Sequence, residues 1–190
     1  MKPIKDLYWV QVEKETEDTL LLNGKEMYRD TSYDPMKLAR QYGTVYKVPS
    51  LDTSEAGIQE GDKVWFHHFI ATPTNHVSHA DKENIYQAYI EQIYLIKRKG
   101  GEYTPVGVWN FMEQEMKEAE VSESGIFLEN SPSEVEFHGK TVLINDWVKN
   151  QGVEVGDRVM WSENSEYEMD IDGRKLLRMR NVDILASYEG

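Results

Sequence analysis

IQEGDKVWF (58–66) and VEVGDRVMW (153–161) give two parts of the chain the same ending. Each sets Gly-Asp, a cation and an apolar residue ahead of an aromatic, in a short run of strand-forming composition. Upstream of each stands a glycine-led alternating stretch, GTVYKVP (43–49) and GKTVLI (139–144). One internal duplication accounts for both pairs at once and governs how the residues between them are read.

Working outward, the order repeats. Lys2-Pro3-Ile4 leads into LYWVQVE, where Tyr8, Val10 and Val12 share one face of a predicted strand. Thr104-Pro105-Val106 leads in the same way into VGVWNFME. The two prolines are 102 positions apart (105 against 3), and Gly61 and Gly156 are 95 apart, so the copies keep strand order and differ in loop length. Lys99-Gly100-Gly101-Glu102 is the predicted junction, giving copies at 1–100 and 101–190. Within the first copy, Leu20-Leu21-Leu22 runs into an Asn23-Gly24 hairpin signal. Residues 25–42 read as a long loop with a helical turn near MKLAR, residues 63–69 as a strand, 71–84 as a polar loop and 91–97 as a closing strand. In the second copy, the acidic EQEMKEAEVSES (113–124) precedes Gly125-Ile126-Phe127-Leu128, and a hairpin is predicted around Asp172-Gly173. Short strands, frequent turns and little helix define an all-β chain of two small barrels or sandwiches.

Composition narrows the function. The net charge of -13 opposes binding to a phosphate backbone, which depends on Lys and Arg displacing counterions. The charge is uneven: 13 cations face 15 anions in residues 1–100, and 8 face 19 in residues 101–190. With no cysteine there is no disulfide, thiolate site or Cys nucleophile, which suits a reducing, cytoplasmic setting. The start, MKPIKDLYWVQVEK, has no apolar signal-peptide core, and no apolar run reaches the roughly 18 residues of a membrane span. Neither a nucleic-acid nor a membrane partner is expected.

The ordered set of Lys-Pro-apolar, strand, acidic segment, Gly-apolar triplet, Gly-led strand, Gly-Asp strand and Asp-Ile-Leu-Ala end resembles the GroES-type co-chaperonins. In the second copy the resemblance runs through SGIFLENS (124–131), GKTVLI, VEVGDRVMW and NVDILASYEG (181–190). In the first it runs through KPIKDLYWVQVEK, GTVYKVP, IQEGDKVWF and EQIYLIK. It implies two tandem GroES-like small β-barrels with little helix, assembling as a homo-oligomeric ring that caps a GroEL-type chaperonin cage and assists protein folding. It also implies a mobile loop, here 113–135, whose apolar triplet grips the chaperonin: Ile126, Phe127 and Leu128, with Gly125 allowing the turn before them. Such a loop orders only on its partner, and a ring of weak contacts gains affinity by avidity. Leu20, Leu21 and Leu22 correspond in the first copy without a preceding glycine, a degenerate second site. PSLDTSEAGIQ and NDWVKNQGVE are short for the roof hairpin of bacterial members. Viral co-chaperonins depart in the same way, so a phage form acting in host cytoplasm is one reading.

Other features carry plainer readings. His67, His68, His76 and His79 cluster, but adjacent strand residues face opposite ways and no carboxylate completes a ligand spacing, so no metal is expected. Glu166, Glu168, Asp170 and Asp172 alternate as on a solvated hairpin face, with cations where a calcium loop needs ligands. Trp9, Trp65, Trp109 and Trp161 sit in the repeated strands and are assigned to core packing. The chain has no glycine-rich phosphate loop, nucleophile elbow or metalloprotease helix, so neither catalysis nor a cofactor is expected. Two rival readings stay open: a non-catalytic structural or assembly protein on the same fold, and a small-molecule-binding barrel.

Overall fold

A computed structural model describes residues 2–4, 6–13, 19–22, 25–28, 39–51, 56–117 and 133–188. The chain divides into two compact units, Met1–Gly107 and Val108–Gly190. The first unit holds β1 (Leu7–Gln11), β2 (Thr19–Leu22), β3 (Lys25–Tyr28), β4 (Tyr42–Lys47), β5 (Lys63–Phe66), β6 (Ile85–Tyr89), β7 (Ile93–Lys97) and β8 (Tyr103–Pro105). The second holds β9 (Trp109–Lys117), β10 (Ser133–Leu143), a short helix α1 (Asp146–Lys149), β11 (Arg158–Trp161), β12 (Tyr167–Ile171), β13 (Arg174–Arg180) and β14 (Ile184–Tyr188).

Each unit is built on one six-stranded antiparallel sheet, ordered β6-β1-β4-β5-β7-β8 in the first and β12-β13-β9-β10-β11-β14 in the second. The all-β class predicted from the turn signals is found. Among the described residues the outer strands of each sheet are not paired with each other, so hydrogen bonding leaves each barrel incompletely closed. Tyr8, Val10 and Val12, predicted to share a face, are all fully buried in the first core with Val64, Phe66, Ile70, Tyr86 and Ile96. The second core gathers Met112, Ile144, Val148, Val153, Val159, Trp161 and Met179.

Five strands of each sheet match in order, β6-β1-β4-β5-β7 against β13-β9-β10-β11-β14, and they match in register too, while the sixth strands, β8 and β12, lie at opposite edges. In the first, Trp9 lies opposite Lys47 and Val10 opposite Val45, which skips a residue. In the second, Phe111 lies opposite Leu143 and Met112 opposite Thr141, the same skip. A further bulge falls where Trp65 opposes Leu95 and Phe66 opposes Ile93, and it recurs where Met160 opposes Ala186 and Trp161 opposes Ile184. A short 3-10 turn enters β7 (Ile90–Gln92) and another enters β14 (Asn181–Asp183). In both, the last residue of the turn accepts a backbone N–H just ahead of it: Gln92 from Tyr89 and Asp183 from Arg180.

The repeated Gly-Asp motif has a local cause. Gly61 and Gly156 adopt φ of 91° and 102°, which favours glycine. Their N–H groups donate to the carbonyls of Val45 and Thr141, and the following aspartates fold back to accept the N–H of Gln59 and Glu154 at 2.9 and 2.8 Å. Gly43 in β4 and Gly139 in β10 answer a different constraint. A Cβ on Gly43 would strike the carbonyl of Gln11, and one on Gly139 the carbonyl of Glu113, because the neighbouring backbone passes too close.

Several expectations shift. Strand β5 ends at Phe66 rather than 69, because residues 67–70 turn under the hydrogen bond from Ile70 N–H to the His67 carbonyl. Residues 25–28, read as loop, form β3. Most of the helical turn expected near MKLAR lies outside the described residues. Strand β6 had no sequence assignment. The first compact unit runs on to Gly107 because Tyr103–Pro105 pairs with β7.

Candidate functional site

Strands β9 and β10 are the longest in the molecule's described part, and they frame the acidic segment singled out in the sequence. Lys117 lies opposite Ser133, and Met116 opposite Glu134, so the chain leaves and re-enters the sheet at neighbouring points. Of the predicted loop, 113–135, residues 113–117 lie in β9 and residues 133–135 in β10. Gly125, Ile126, Phe127 and Leu128 fall within 118–132, outside the described residues.

The base of this segment is built from side chains that the sequence reading did not select. Register jumps from Met116 opposite Glu134 to Gln114 opposite Gly139, so several residues of β10 bulge against a short stretch of β9. The Gln114 side-chain amide holds the bulge, donating to the carbonyls of Val135 at 2.7 Å and His138 at 3.2 Å. Phe137 takes a φ of 58° there and packs against the second core. No local pattern announces this bulge, because FHG reads as ordinary strand until Gly139 is known to sit against a neighbouring backbone.

Electrostatics at the base are paired. The Arg158 guanidinium grips Glu115 through Nε and Nη2, at 2.9 and 2.5 Å, and lies over the Tyr188 ring. The hydrogen bond to Glu115 holds the Arg158 pKa above its ordinary value. Arg174 reaches Glu113 at 2.9 Å. The carboxylates nearest the sheet are thus neutralised by cations of β11 and β13.

In the first unit the corresponding stretch, between β1 and β4, contains the β2–β3 hairpin. Leu20, Leu21 and Leu22 stand on β2 opposite Met27, Glu26 and Lys25. The hairpin expected from Asn23-Gly24 is present as strand pairing, and the turn itself lies outside the described residues.

The histidines do not sit as expected. His67 and His68 are past the end of β5, and their rings stack at 4.2 Å instead of facing apart. His67 Nδ1 accepts the Phe69 N–H at 3.2 Å, and the His76 ring meets Tyr86 edge-on. Among the described residues no three His, Asp or Glu side chains are grouped to hold a metal. The acidic run at 166–172 is the β12–β13 hairpin, turning at Asp172 (φ 53°) and Gly173 (φ 85°). Asp170 accepts the Gly173 N–H, and Glu168 pairs with Lys175, whose pKa that contact raises. Of the four tryptophans assigned to packing, Trp9, Trp65 and Trp161 are buried, while Trp109 is partly covered by Arg178.

The family model described as "Chaperonin 10 Kd subunit" matches residues 105–188, which span β9 to β14 and the segment between β9 and β10. The co-chaperonin GroES of Allochromatium vinosum is 33% identical over 82 residues, covering 40% of this chain and 85% of the relative. That of Pseudothermotoga lettingae is 34% identical over 86 residues, covering 45% of this chain and 96% of the relative. The chain belongs to the GroES co-chaperonin family. The co-chaperonin GroES of Thioalkalivibrio sulfidiphilus, 30% identical over 82 residues, is a further relative. Each of these relatives matches less than half of the present chain while being nearly spanned itself, so one GroES-length module occupies only part of the sequence. No helix of the described residues is long and apolar enough to cross a membrane.

Proposed function

We propose that the chain is a double-module co-chaperonin: two GroES-like copies in tandem, assembled from several chains into a ring that caps a GroEL-type chaperonin. The observation that carries this reading is the near-complete coverage of co-chaperonin GroES relatives by under half of the chain. The common strand order and common bulges of the two sheets support assigning the remainder to a second copy. The modules take 1–100 and 101–190 in sequence, with strand β8 of the second copy's leading segment paired into the first sheet.

Residues 118–132 rise from neighbouring ends of β9 and β10, and Ile126, Phe127 and Leu128 form the apolar triplet that enters a groove on the chaperonin. An acidic segment with one short apolar run buries too little surface to fold alone, so each contact is weak and several together hold the cap. Weakness permits release in each chaperonin cycle. Leu20, Leu21 and Leu22, already paired in a hairpin, serve as a secondary contact at most. The chain supplies no catalytic group or cofactor in this role; ATP hydrolysis belongs to the chaperonin. The setting is the cytoplasm, with neither nucleic acid nor membrane as partner.

Replacing Phe127 by Asp tests the assignment. Phe127→Asp is expected to abolish co-sedimentation with chaperonin in ATP while leaving the circular dichroism spectrum unchanged. Undiminished co-sedimentation of that variant would remove the triplet from the binding site.

A further inference from the structure

The two copies differ at one register position beside the candidate segment, and their sheets behave differently there. Val10 corresponds to Met112, since Val10 opposes Val45 as Met112 opposes Thr141 after the same skip. Two residues on, Val12 of the first copy corresponds to Gln114 of the second. The close approaches agree with this count: Gly43 sits against the Gln11 carbonyl and Gly139 against the Glu113 carbonyl, one residue earlier in each copy. Val12 is fully buried in the first core, β1 ends at Gln11, and β4 begins only at Tyr42. With Gln114 in that place, β9 runs on to Lys117 and β10 begins at Ser133. The sheet stops where valine stands and continues where glutamine stands.

Little else holds this overhang together. Past the register jump, Met116 lies opposite Glu134 and Lys117 opposite Ser133. Met116 is 51% exposed, and Lys117 and Glu134 are exposed too. A two-stranded ribbon that buries so little apolar surface is marginal in water. Gln114 Nε2 spans the jump, donating to the carbonyls of Val135 at 2.7 Å and His138 at 3.2 Å. The next residue, Glu115, points to the opposite face and is held there by Arg158. The ion pair ties β9 to β11, and the Gln114 amide ties the start of β10 to β9. A glutamine whose counterpart is a core valine costs desolvation, which its two hydrogen bonds offset.

We propose that Gln114 is a positioning residue for the chaperonin contact: its side-chain amide keeps the β9–β10 overhang paired and so fixes both ends of the segment that follows. Gln114 touches no partner itself and acts through the strand pairs on either side of the bulge. Without it, residues 116–117 and 133–137 join the stretch of chain that has to be ordered when the partner binds. Ordering them at that moment costs conformational entropy and weakens the contact. The first copy, with Val12 in this place, has no such overhang among its described residues, which separates the two copies at the position nearest their candidate contacts.

Gln114 has this role only if 118–132 is the chaperonin contact proposed above, and two independent readouts keep the claims apart. In the full-length chain, Gln114→Val supplies the residue of the first copy, and Gln114→Glu keeps the shape while removing the donor. Each is first checked for a cooperative thermal melt. The chain has no cysteine, so Lys117→Cys/Ser133→Cys reports on the overhang through a disulfide between directly opposed residues. Either Gln114 variant is expected to slow formation of that disulfide by about tenfold, as the opened overhang gains population. In the background without cysteines, either is expected to weaken co-sedimentation with chaperonin in ATP by about tenfold. Once formed, the disulfide is expected to restore co-sedimentation to the Gln114 variants, a rescue that a general loss of stability would not show. Equal crosslinking rates with and without Gln114 would overturn the clamp. Slowed crosslinking with unchanged co-sedimentation, or a loss that the disulfide does not rescue, would overturn the positioning role. A parent chain that never co-sediments would overturn the chaperonin reading and this role together, while crosslinking still judges the clamp.

Discussion

The two units share one strand plan and fill the same place in it with opposite chemistry. By register, Tyr8, Pro49 and Ile90 of the first unit correspond to Asn110, Asn145 and Asn181 of the second. In the first unit Tyr8 is fully buried, and Ile90 packs against the same core. In the second, Asn110 is fully buried and Asn145 nearly so, and they satisfy one another. Asn110 accepts the Asn145 backbone N–H at 2.9 Å and donates to Asn181 at 2.8 Å, and the Asn145 amide reaches the same Asn181 oxygen at 2.7 Å. Asn145 also caps α1 by accepting the Val148 N–H. A fold can therefore keep its backbone while exchanging an apolar cluster for a closed polar one, provided that all members change together.

Exchanging one member alone should break the comparison most visibly. Tyr8→Asn is expected to cost about 3–5 kcal/mol in urea unfolding, because it opens a cavity beside Pro49 and Ile90, which offer no side-chain hydrogen bonds. The reverse change, Asn110→Leu, is expected to cost about 1–3 kcal/mol, mainly by orphaning the buried Asn145 N–H. Equal losses in the two variants would mean that the asparagine network holds nothing beyond its volume.

A smaller difference separates the paired Gly-Asp turns. Asp62 is 4% exposed at its side chain and accepts Arg98 at 3.1 Å as well as the Gln59 N–H. Arg98 also ties the carbonyls of Ala56 and Gly57. Asp157 makes the same turn bond to Glu154, with no arginine bond to it found among the described residues. Asp62→Ala is expected to lower stability by about 2 kcal/mol and Asp157→Ala by about 1 kcal/mol. A matched pair of losses would show that the arginine adds nothing to the turn.

The smallest expected effect concerns pH. Tyr46 donates to Asp81 at 2.5 Å, which pulls the Asp81 carboxyl below its ordinary range and raises the Tyr46 phenol. A depressed carboxyl stabilises the folded chain above its unfolded pKa and loses that contribution as pH falls through the folded one. Tyr46→Phe should therefore lower stability slightly at neutral pH, leave the most acid region nearly unchanged and so flatten the acid limb between them, measured by thermal melts between about pH 2 and 7. An unaltered acid limb would show that this exposed bond is not maintained in solution.

How much of this was legible beforehand follows from which residues carry local signals. Alternation placed Tyr8, Val10 and Val12 together, Asp172-Gly173 marked its hairpin by turn chemistry, and the repeated Gly-Asp motif led to two matching sheets. Strand β6 was missed because IYQAY follows a polar loop and is only five residues long. The stacking of His67 on His68 was missed because the strand was carried past Phe66, where tertiary bonds turn the chain. The apolar triplet is a pattern in the sequence that lies outside the described residues, whereas Gln114 and Phe137 at the base of that segment are defined only by a long-range register shift. The asparagine network was equally silent, since Asn110, Asn145 and Asn181 are far apart in sequence and meet only in the folded sheet.

The pairing of Lys117 with Ser133 sets a geometric leash. A chain that departs and returns at adjacent strand positions must spend its contour twice. Residues 118 through 132 can then extend no farther than about 25 Å from the sheet, at roughly 3.4 Å per residue. If that span binds a chaperonin as proposed, the receptor cleft must come within this radius of the β9–β10 rim.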